Sequence, residues 1–277
     1  MQPVPEGELL MEKIGLLAGI GRLPVEFARA ARGMGFGVIA VAVVPEVDED
    51  LSEAADQFVH ISIGELDRVI GVLKSENVSR VTMLGKVTKE LLFSGSVRLD
   101  DRIKKMFAGL PDHSDDTIML GFVRELASEG IGVFDQTMLI RSLMPAAGVL
   151  TKRAPTPDEQ ADMEFGFTMA KAIGGLDIGQ TVVVKNRAVM AVEAIEGTDA
   201  CILRGGQLSR GCATVVKVAK PDQDLRFDVP AVGLNTIRSM CEVQAKALAI
   251  EAGGTLLVDR EKVIKMADDC GITIVAM

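Results

Sequence analysis

Histidine is scarce in this 277-residue chain: His60 and His113 are the only two. Dinuclear metallophosphatases and zinc hydrolases need several imidazoles, so any metal here is expected to be a hard ion on oxygen ligands. Cysteine is nearly as sparse. Four thiols stand at 201, 212, 241 and 270, with no short C-x-x-C pair. Neither a disulfide framework nor a zinc knuckle is expected, and a reducing cytoplasm is the natural compartment. Long apolar runs are missing too. The longest, Val38 to Val44, falls far short of the roughly 20 residues of a membrane span. The opening MQPVPEGELL has neither the basic start nor the apolar centre of a signal peptide. Met11 reads as an alternative start, and residues 1–10 are set aside for fold reasoning. Positive charge is outweighed: 30 Lys and Arg against 39 Asp and Glu give a net charge of −9. That argues against a general nucleic-acid binder, so phosphates would have to be met by local cations or a metal.

What is present is an ordinary globular composition, 48% apolar and 25% charged, at a length that fits two domains. KIGLLA (13–18), the turn GIGRLP, an amphipathic run from Val25 to Met34 and the run Val38 to Val44 spell strand, glycine turn, helix, strand. Further strands are expected at 57–63, 80–84 and 131–134, and helices at 65–76, 86–93, 99–109 and 115–129. The alternation predicts an α/β fold with a parallel, Rossmann-like sheet, whose ligands belong at the carboxyl ends of the strands. GIGRLP carries two glycines of G-x-G-x-x-G, but Pro24 replaces the third and no acidic residue closes the second strand. A phosphate at the helix N-terminus, with Arg22 beside it, fits better than a nicotinamide dinucleotide; a plain tight turn is the alternative. Lys86, after the fourth strand, is either a phosphate cation or a solvated helix start. In HSDD, Ser114 can cap a helix, with Asp115 and Asp116 in its first turn against the dipole. His113 could instead serve as an acid or base. Residues 102–110 (RIKKMFAGL) read as a surface helix, with contact to an anionic membrane or acyl chain as the other option.

Composition shifts at Met144 to Gly148, a plausible hinge that divides the chain into 11–143 and 144–277. Thr156 or Asp158 can cap a helix running to Ile173. Gly174 to Thr181 has the glycine spacing of a P-loop, yet Gln180 stands where lysine is required and a helix precedes it, so it reads as a glycine helix stop. TVVVKNRAVMAVEA reads as a hairpin turning at Asn186-Arg187. Thr198 either caps the next helix or holds substrate. A strand at 213–219, a helix at 235–251, a strand at 255–258, a helix at 260–269 and a strand at 273–276 complete a second α/β unit.

Between them lies KVAKPDQDLRFDVPAVGLN, Lys217 to Asn235. Pro221 and Pro230 fix φ and cannot donate to a ladder, so the stretch is expected to be a rigid connection rather than strand or helix. Asp222, Asp224 and Asp228 with Lys220 and Arg226 could hold a divalent cation and a phosphate together, since magnesium takes carboxylates, waters and substrate phosphate. A solvated turn is the bland alternative.

Taken in order, GxGxLP, SDDTIML, LDIGQ, AVEAxEGTDA, KxxKPxQDxRxDxPxxG and VDRE resemble the two-domain, magnesium-dependent UDP-2,3-diacylglucosamine pyrophosphatases, over nearly the whole chain from Lys13. The resemblance implies hydrolysis of UDP-2,3-diacylglucosamine to 2,3-diacylglucosamine 1-phosphate (lipid X) and UMP in lipid A biosynthesis. It implies a ligand cleft between an N-terminal Rossmann-like domain and a C-terminal α/β domain. Magnesium, with manganese as substitute, would sit mainly on Asp228. A ligand from Asp224 or from the EAIEGTD segment is a further option. Asp228 and Asp224 carry the catalytic expectation. Gly19, Ile20, Gly21, Lys86, Val87, Asp115, Asp116, Gln180, Thr181, Thr198, Lys220 and Gln223 are expected to line the substrate site. A cytoplasmic homodimer with optional peripheral contact to the inner membrane completes the reading. A nucleotide-sugar oxidoreductase or transferase, and a non-catalytic sensor of nucleotide or glycolipid, are the rivals.

Overall fold

The computed structural model describes residues 11–87, 97–113, 115–135, 137–221 and 229–277, without the side chains of Asp115, Asp116 and Ser142. It divides into two compact units, Met1–Leu139 and Ile140–Met277. In the first, β1 (Lys13–Ala18), α1 (Leu23–Gly33), β2 (Gly37–Ala42), α2 (Leu51–Ala54), β3 (Gln57–His60), α3 (Leu66–Ser75) and β4 (Arg80–Leu84) alternate, followed by α4 (Asp101–Ala108), α5 (Asp115–Ser128), β5 (Gly132–Val133) and α6 (Thr137–Ile140). The 5-stranded sheet has the order β3-β2-β1-β4-β5, and every pairing is parallel. Strands covered on both faces read as continuous apolar runs, as GVIAVA of β2 does, buried at every position. Helix α1 carries Pro24 in its first turn, where a missing N–H costs nothing, and buries Val25, Phe27, Ala28 and Ala31. The order reverses between β1 and β4, which is the switch point of a doubly wound sheet.

The stretch read as a surface helix is α4, packed on one face and ion-paired on the other. Ile103 and Met106 of α4 are buried in the unit's core. Arg102 binds Asp67 at 2.7 Å, Glu125 at 3.0 Å and Glu129 at 2.7 Å, and Lys104 binds Asp101 at 3.0 Å. The helix expected at 86–93 lies mostly outside the described residues.

The second unit holds β6 (Gly148–Val149), α7 (Pro157–Gly175), β7 (Thr181–Lys185), β8 (Ala188–Val192), α8 (Thr198–Ser209), β9 (Thr214–Lys217), β10 (Ala231–Val232), α9 (Leu234–Glu242), β11 (Ala247–Ile250), β12 (Leu256–Leu257), α10 (Arg260–Asp269) and β13 (Thr273–Ala276). Its 6-stranded sheet has the order β6-β13-β11-β9-β7-β8. The central strands β9, β11 and β13 are parallel, with antiparallel pairs at both edges. Side chains alternate between the two faces, as the period of two requires. Val182, Val184, Val216, Ala247 and Ala249 pack with Met163 and Ala170 of α7. Their neighbours Val183, Val215, Leu248 and Ile250 pack with Ile202 of α8, Met240 of α9 and Val263 of α10. Helix α7 opens on a capping box: Thr156 accepts from Glu159 N, and Glu159 accepts from Thr156 N. The β7–β8 turn carries Asn186 at φ 53 and Arg187 at φ 56, the mirror-image geometry hairpins favour. The buried Asp162 of α7 holds it, accepting from Asn186 N at 3.0 Å and Arg187 N at 2.5 Å.

Three expectations need correction. The helix drawn over 235–251 stops at Glu242. Gln244 turns left-handed at φ 55, and Gln244 N→Cys241 O with Ala245 N→Met240 O closes it as a Schellman motif. ALAI then forms the central strand β11. Secondly, Ala231 and Val232, expected to be part of the rigid connection, are a strand that pairs with Leu256 and Leu257 in a separate parallel ladder. The connection after β9 is therefore shorter than Lys217 to Asn235, its last part being strand and helix. Finally, Cys241 and Cys270 are joined, with sulfurs 2.14 Å apart and Cα atoms at 6.0 Å. This is one link between the ends of α9 and α10, not a framework. The helix stop at Gly174–Thr181 holds, with Asp177 at φ 55 as its left-handed residue.

Candidate functional site

In the first unit the candidate positions converge on the switch point. Gly19 follows β1 and donates from N to Leu84 O at 2.7 Å. Ile20 and Lys86 exchange both main-chain bonds, at 2.9 and 2.8 Å. Contact this tight requires glycine. A Cβ on Gly19 would lie 2.7 Å from Lys86 O, and one on Gly85 would lie 2.7 Å from Gly19 C. Gly21, at φ 114, turns the chain into α1. Ile20 and Lys86 are exposed, while Val87 packs on the core. Lys86 is thus a bridge residue rather than a helix start. Arg22 does not stand ready for a phosphate as expected. Its guanidinium binds Asp48 at 2.9 Å and Asp50 at 2.6 Å, with Glu26 at 3.5 Å. The Arg22 hydrogen bond and charge hold the Asp50 carboxyl below its ordinary value. Asp115 and Asp116 open α5 in its first turn; Ser114 lies outside the described residues. His113 meets the Phe107 ring edge-on at 5.9 Å.

In the second unit the site residues gather at the carboxyl edge of β9 and β11. Thr181 pairs with Lys217, and Lys217 with Ile250, across neighbouring strands. Glu193, just past β8, donates from N to Thr181 O at 2.9 Å. Gly179 lets this chain pass, since a Cβ there would fall 2.1 Å from Glu193 O. Thr198 is not the cap of α8: Gly197 is, at φ 82, and Thr198 is the first helical residue. The Thr198 hydroxyl donates to Glu193 Oε1 at 2.8 Å and accepts from Lys217 Nζ at 3.0 Å. Thr181 Oγ1 lies 3.5 Å from Thr198 Oγ1. Glu193 Oε2 accepts from Gln180 N at 3.4 Å. Gln180 Oε1 is buried with no hydrogen-bond partner among the described residues. Lys220 pairs with Asp177 at 2.6 Å. Nearby, Lys171 binds Glu251 at 2.7 Å, and Glu251 accepts from Ala219 N at 2.7 Å.

Asp228, Asp224 and Gln223 lie outside the described residues. Among those described, no three His, Cys, Asp or Glu side chains come together as a metal cluster. The three carboxylates of EAIEGTD each have partners: Glu193 as above, Glu196 with Arg204 and Ala194 N, and Asp199, which accepts from the Thr236 hydroxyl at 3.3 Å. The magnesium reading therefore rests on the stretch that contains Asp228. Lys217 was missed from sequence. Its one signal was a lysine closing the apolar run ATVV, where an ammonium is not expected unless something holds it.

Comparison with known proteins follows the same two-part division. A model of the LpxI N-terminal domain matches residues 13–143 and one of the LpxI C-terminal domain matches 146–275. Among solved structures, the biotin carboxylase domain of a single-chain bacterial carboxylase is 18% identical at a TM-score of 0.28, over 60% of this chain and 35% of that one. N5-carboxyaminoimidazole ribonucleotide synthetase from Thermotoga maritima is 17% identical at 0.28, over 63% and 34%. Scores of that size are no basis for a shared site or activity. Among helices of the described residues, none is long and apolar enough to cross a membrane. The protein named UDP-2,3-diacylglucosamine pyrophosphatase LpxI, from Caulobacter vibrioides, is 32% identical over 280 residues, 96% of this chain and 98% of its own. With both domains matched in order and a relative aligned end to end, the chain belongs to the LpxI family.

Proposed function

We propose that this protein hydrolyses the pyrophosphate of UDP-2,3-diacylglucosamine to 2,3-diacylglucosamine 1-phosphate and UMP, a step of lipid A biosynthesis. The observation that carries it is the end-to-end match to a relative of that name, through both LpxI domains. Water adds across the bridge: one phosphorus–oxygen bond to the bridging oxygen breaks and one to the water oxygen forms, so each product keeps one phosphate. The acidic connection after β9 supports Asp228 as the central acidic residue, with Asp224 beside it. Magnesium, or manganese in its place, would be held mainly by Asp228 and would supply a Lewis acid and an oriented water. The Gly19 and Ile20 N–H groups are spent on Leu84 O and Lys86 O, so the glycine turn at Gly21 and the exposed Lys86 ammonium are the groups suited to the substrate's phosphates. Val87, Asp115, Asp116, Gln180, Thr181, Lys220 and Gln223 complete the proposed lining. The proposed domains are 11–143 and 144–277, in a cytoplasmic homodimer with peripheral membrane contact; sedimentation and vesicle flotation test the last two.

The oxidoreductase reading had its support in GIGRLP, and there Arg22 is already neutralised by Asp48 and Asp50. The deciding experiment is purified protein with UDP-2,3-diacylglucosamine, with and without EDTA, reading both products. Release that EDTA abolishes and magnesium restores is expected; a folded protein that binds but never turns over is a sensor instead. Asp228→Ala is expected to lower kcat by about three orders of magnitude, the scale of losing one electrostatic anchor, with melting unchanged. Near-normal turnover in that variant removes Asp228 from its role.

A further inference from the structure

We infer that the buried Glu193 and Lys217, joined by the half-buried Thr198, form a clamp on the mouth of the 218–230 connection, and that Lys217 is a positioning residue for the hydrolysis proposed above, on which this role rests. Lys217 is the last residue of β9 and Ala231 the first of β10. Lys217 Nζ donates to Ala231 O at 2.9 Å and to Thr198 Oγ1 at 3.0 Å. One ammonium thus ties the point where the connection leaves the large sheet to the point where it returns. Thr198 passes the restraint to Glu193 Oε1 at 2.8 Å, and Gln180 N steadies the other oxygen at 3.4 Å.

Lys217 is 7% exposed and Glu193 8%. A buried ammonium is costly unless paired, and this pair is joined through a hydroxyl. The ammonium's two described bonds go to a hydroxyl and to a main-chain carbonyl at the return of the connection, so the contribution argued for it is geometric. Thr198 has one hydrogen, and Glu193 takes it. The hydroxyl can then only accept, which removes Thr198 from the expected donors to a substrate phosphate and makes it the joint of the clamp. The bond Lys217 Nζ to Ala231 O also couples the large sheet to the β10–β12 ladder, so the two ends cannot drift independently.

The test uses Lys217→Met, Lys217→Arg, Thr198→Val and Thr198→Ser in the full chain. Each is read by kcat and KM on UDP-2,3-diacylglucosamine with magnesium and by hydrogen exchange across 218–232. Displacement of a reacting geometry by about 1 Å costs about a hundredfold. Lys217→Met and Thr198→Val are therefore expected to lose that much in kcat, with KM held within about threefold and faster exchange confined to 218–232. Thr198→Ser restores both readouts, because it keeps the hydroxyl. Unchanged exchange and kcat in Lys217→Met overturn the clamp. A KM effect alone overturns it too, since Lys217 would then touch substrate directly. Should Lys217→Met not fold, Thr198→Val, neutral and isosteric, carries the same decision. If the unaltered protein turns over nothing, the hydrolase reading fails by itself, and exchange alone decides the clamp: faster in the variants supports it, unchanged overturns it.

Discussion

Cys201 and Cys212 stand in one helix–strand unit and differ chemically because their surroundings differ. Cys201 lies inside α8, wholly buried, and burial pushes its thiol up to about 12, against a smaller opposing effect of Arg204. The thiolate is the nucleophile, so this side chain is expected to stay inert near neutral pH. Cys212 is exposed. Iodoacetamide on the native protein at pH 8 is therefore expected to modify Cys212 within minutes and spare Cys201; equal labelling of the two contradicts the packing of α8. Glycine works by the same logic of space. Gly19 and Gly85 let two main chains touch at the β1–β4 edge, and Gly206 lets α8 meet Val243, whose Cγ2 a Cβ there would approach to 2.2 Å. Each of these glycines is visible in the sequence, but what it faces is not.

Element α7 is fixed from its first turn. Its capping box satisfies two orphan N–H groups, so Thr156→Ala is expected to cost about 1 kcal/mol in urea unfolding at pH 7. Arg153 grips Glu159 with two bonds, at 2.8 and 3.0 Å. Burial works to raise the Glu159 carboxyl, but the Arg153 and Thr156 hydrogen bonds outweigh it and leave it below its ordinary value of 4.5. A carboxyl lowered in the folded state contributes stability above its unfolded value and loses it as pH falls through the folded one. The stability gap between the native protein and Glu159→Gln is thus expected to shrink from pH 7 to pH 3; a constant gap would deny the ion pair its role. Element β11 shows the opposite case. KALAIEA favours helix by propensity, yet its ALAI lies as a strand between β9 and β13 because two ladders and two apolar faces outweigh a preference of tenths of a kilocalorie per residue. Small Ala247 and Ala249 suit the face covered by α7, and larger Leu248 and Ile250 suit the other.

For the molecule as a whole, net charge is the coarsest determinant. A chain at −9 with a sequence pI near 4.9 is expected to leave duplex DNA unshifted at micromolar protein and about 0.15 M salt; a clear mobility shift would show a basic patch that the balance hides. Other properties also followed from residues in order. The paucity of histidine turned the metal reading toward oxygen ligands. Period and punctuation marked out most of the first unit's strands and helices. The spaced motifs from GIGRLP to VDRE pointed to the family that the two domain matches show. Tertiary structure decided what depends on partners distant in sequence. It gave Arg22 to Asp48 and Asp50 rather than to a phosphate, joined Cys241 to Cys270, and sent Leu256 and Leu257 to a separate ladder. It also linked the buried Glu193 and Lys217 through the Thr198 hydroxyl. The physical reason is that sequence pattern records which side chains avoid water, whereas pairing of charges, hydroxyls and thiols is set by which strand ends the sheet order brings to one edge.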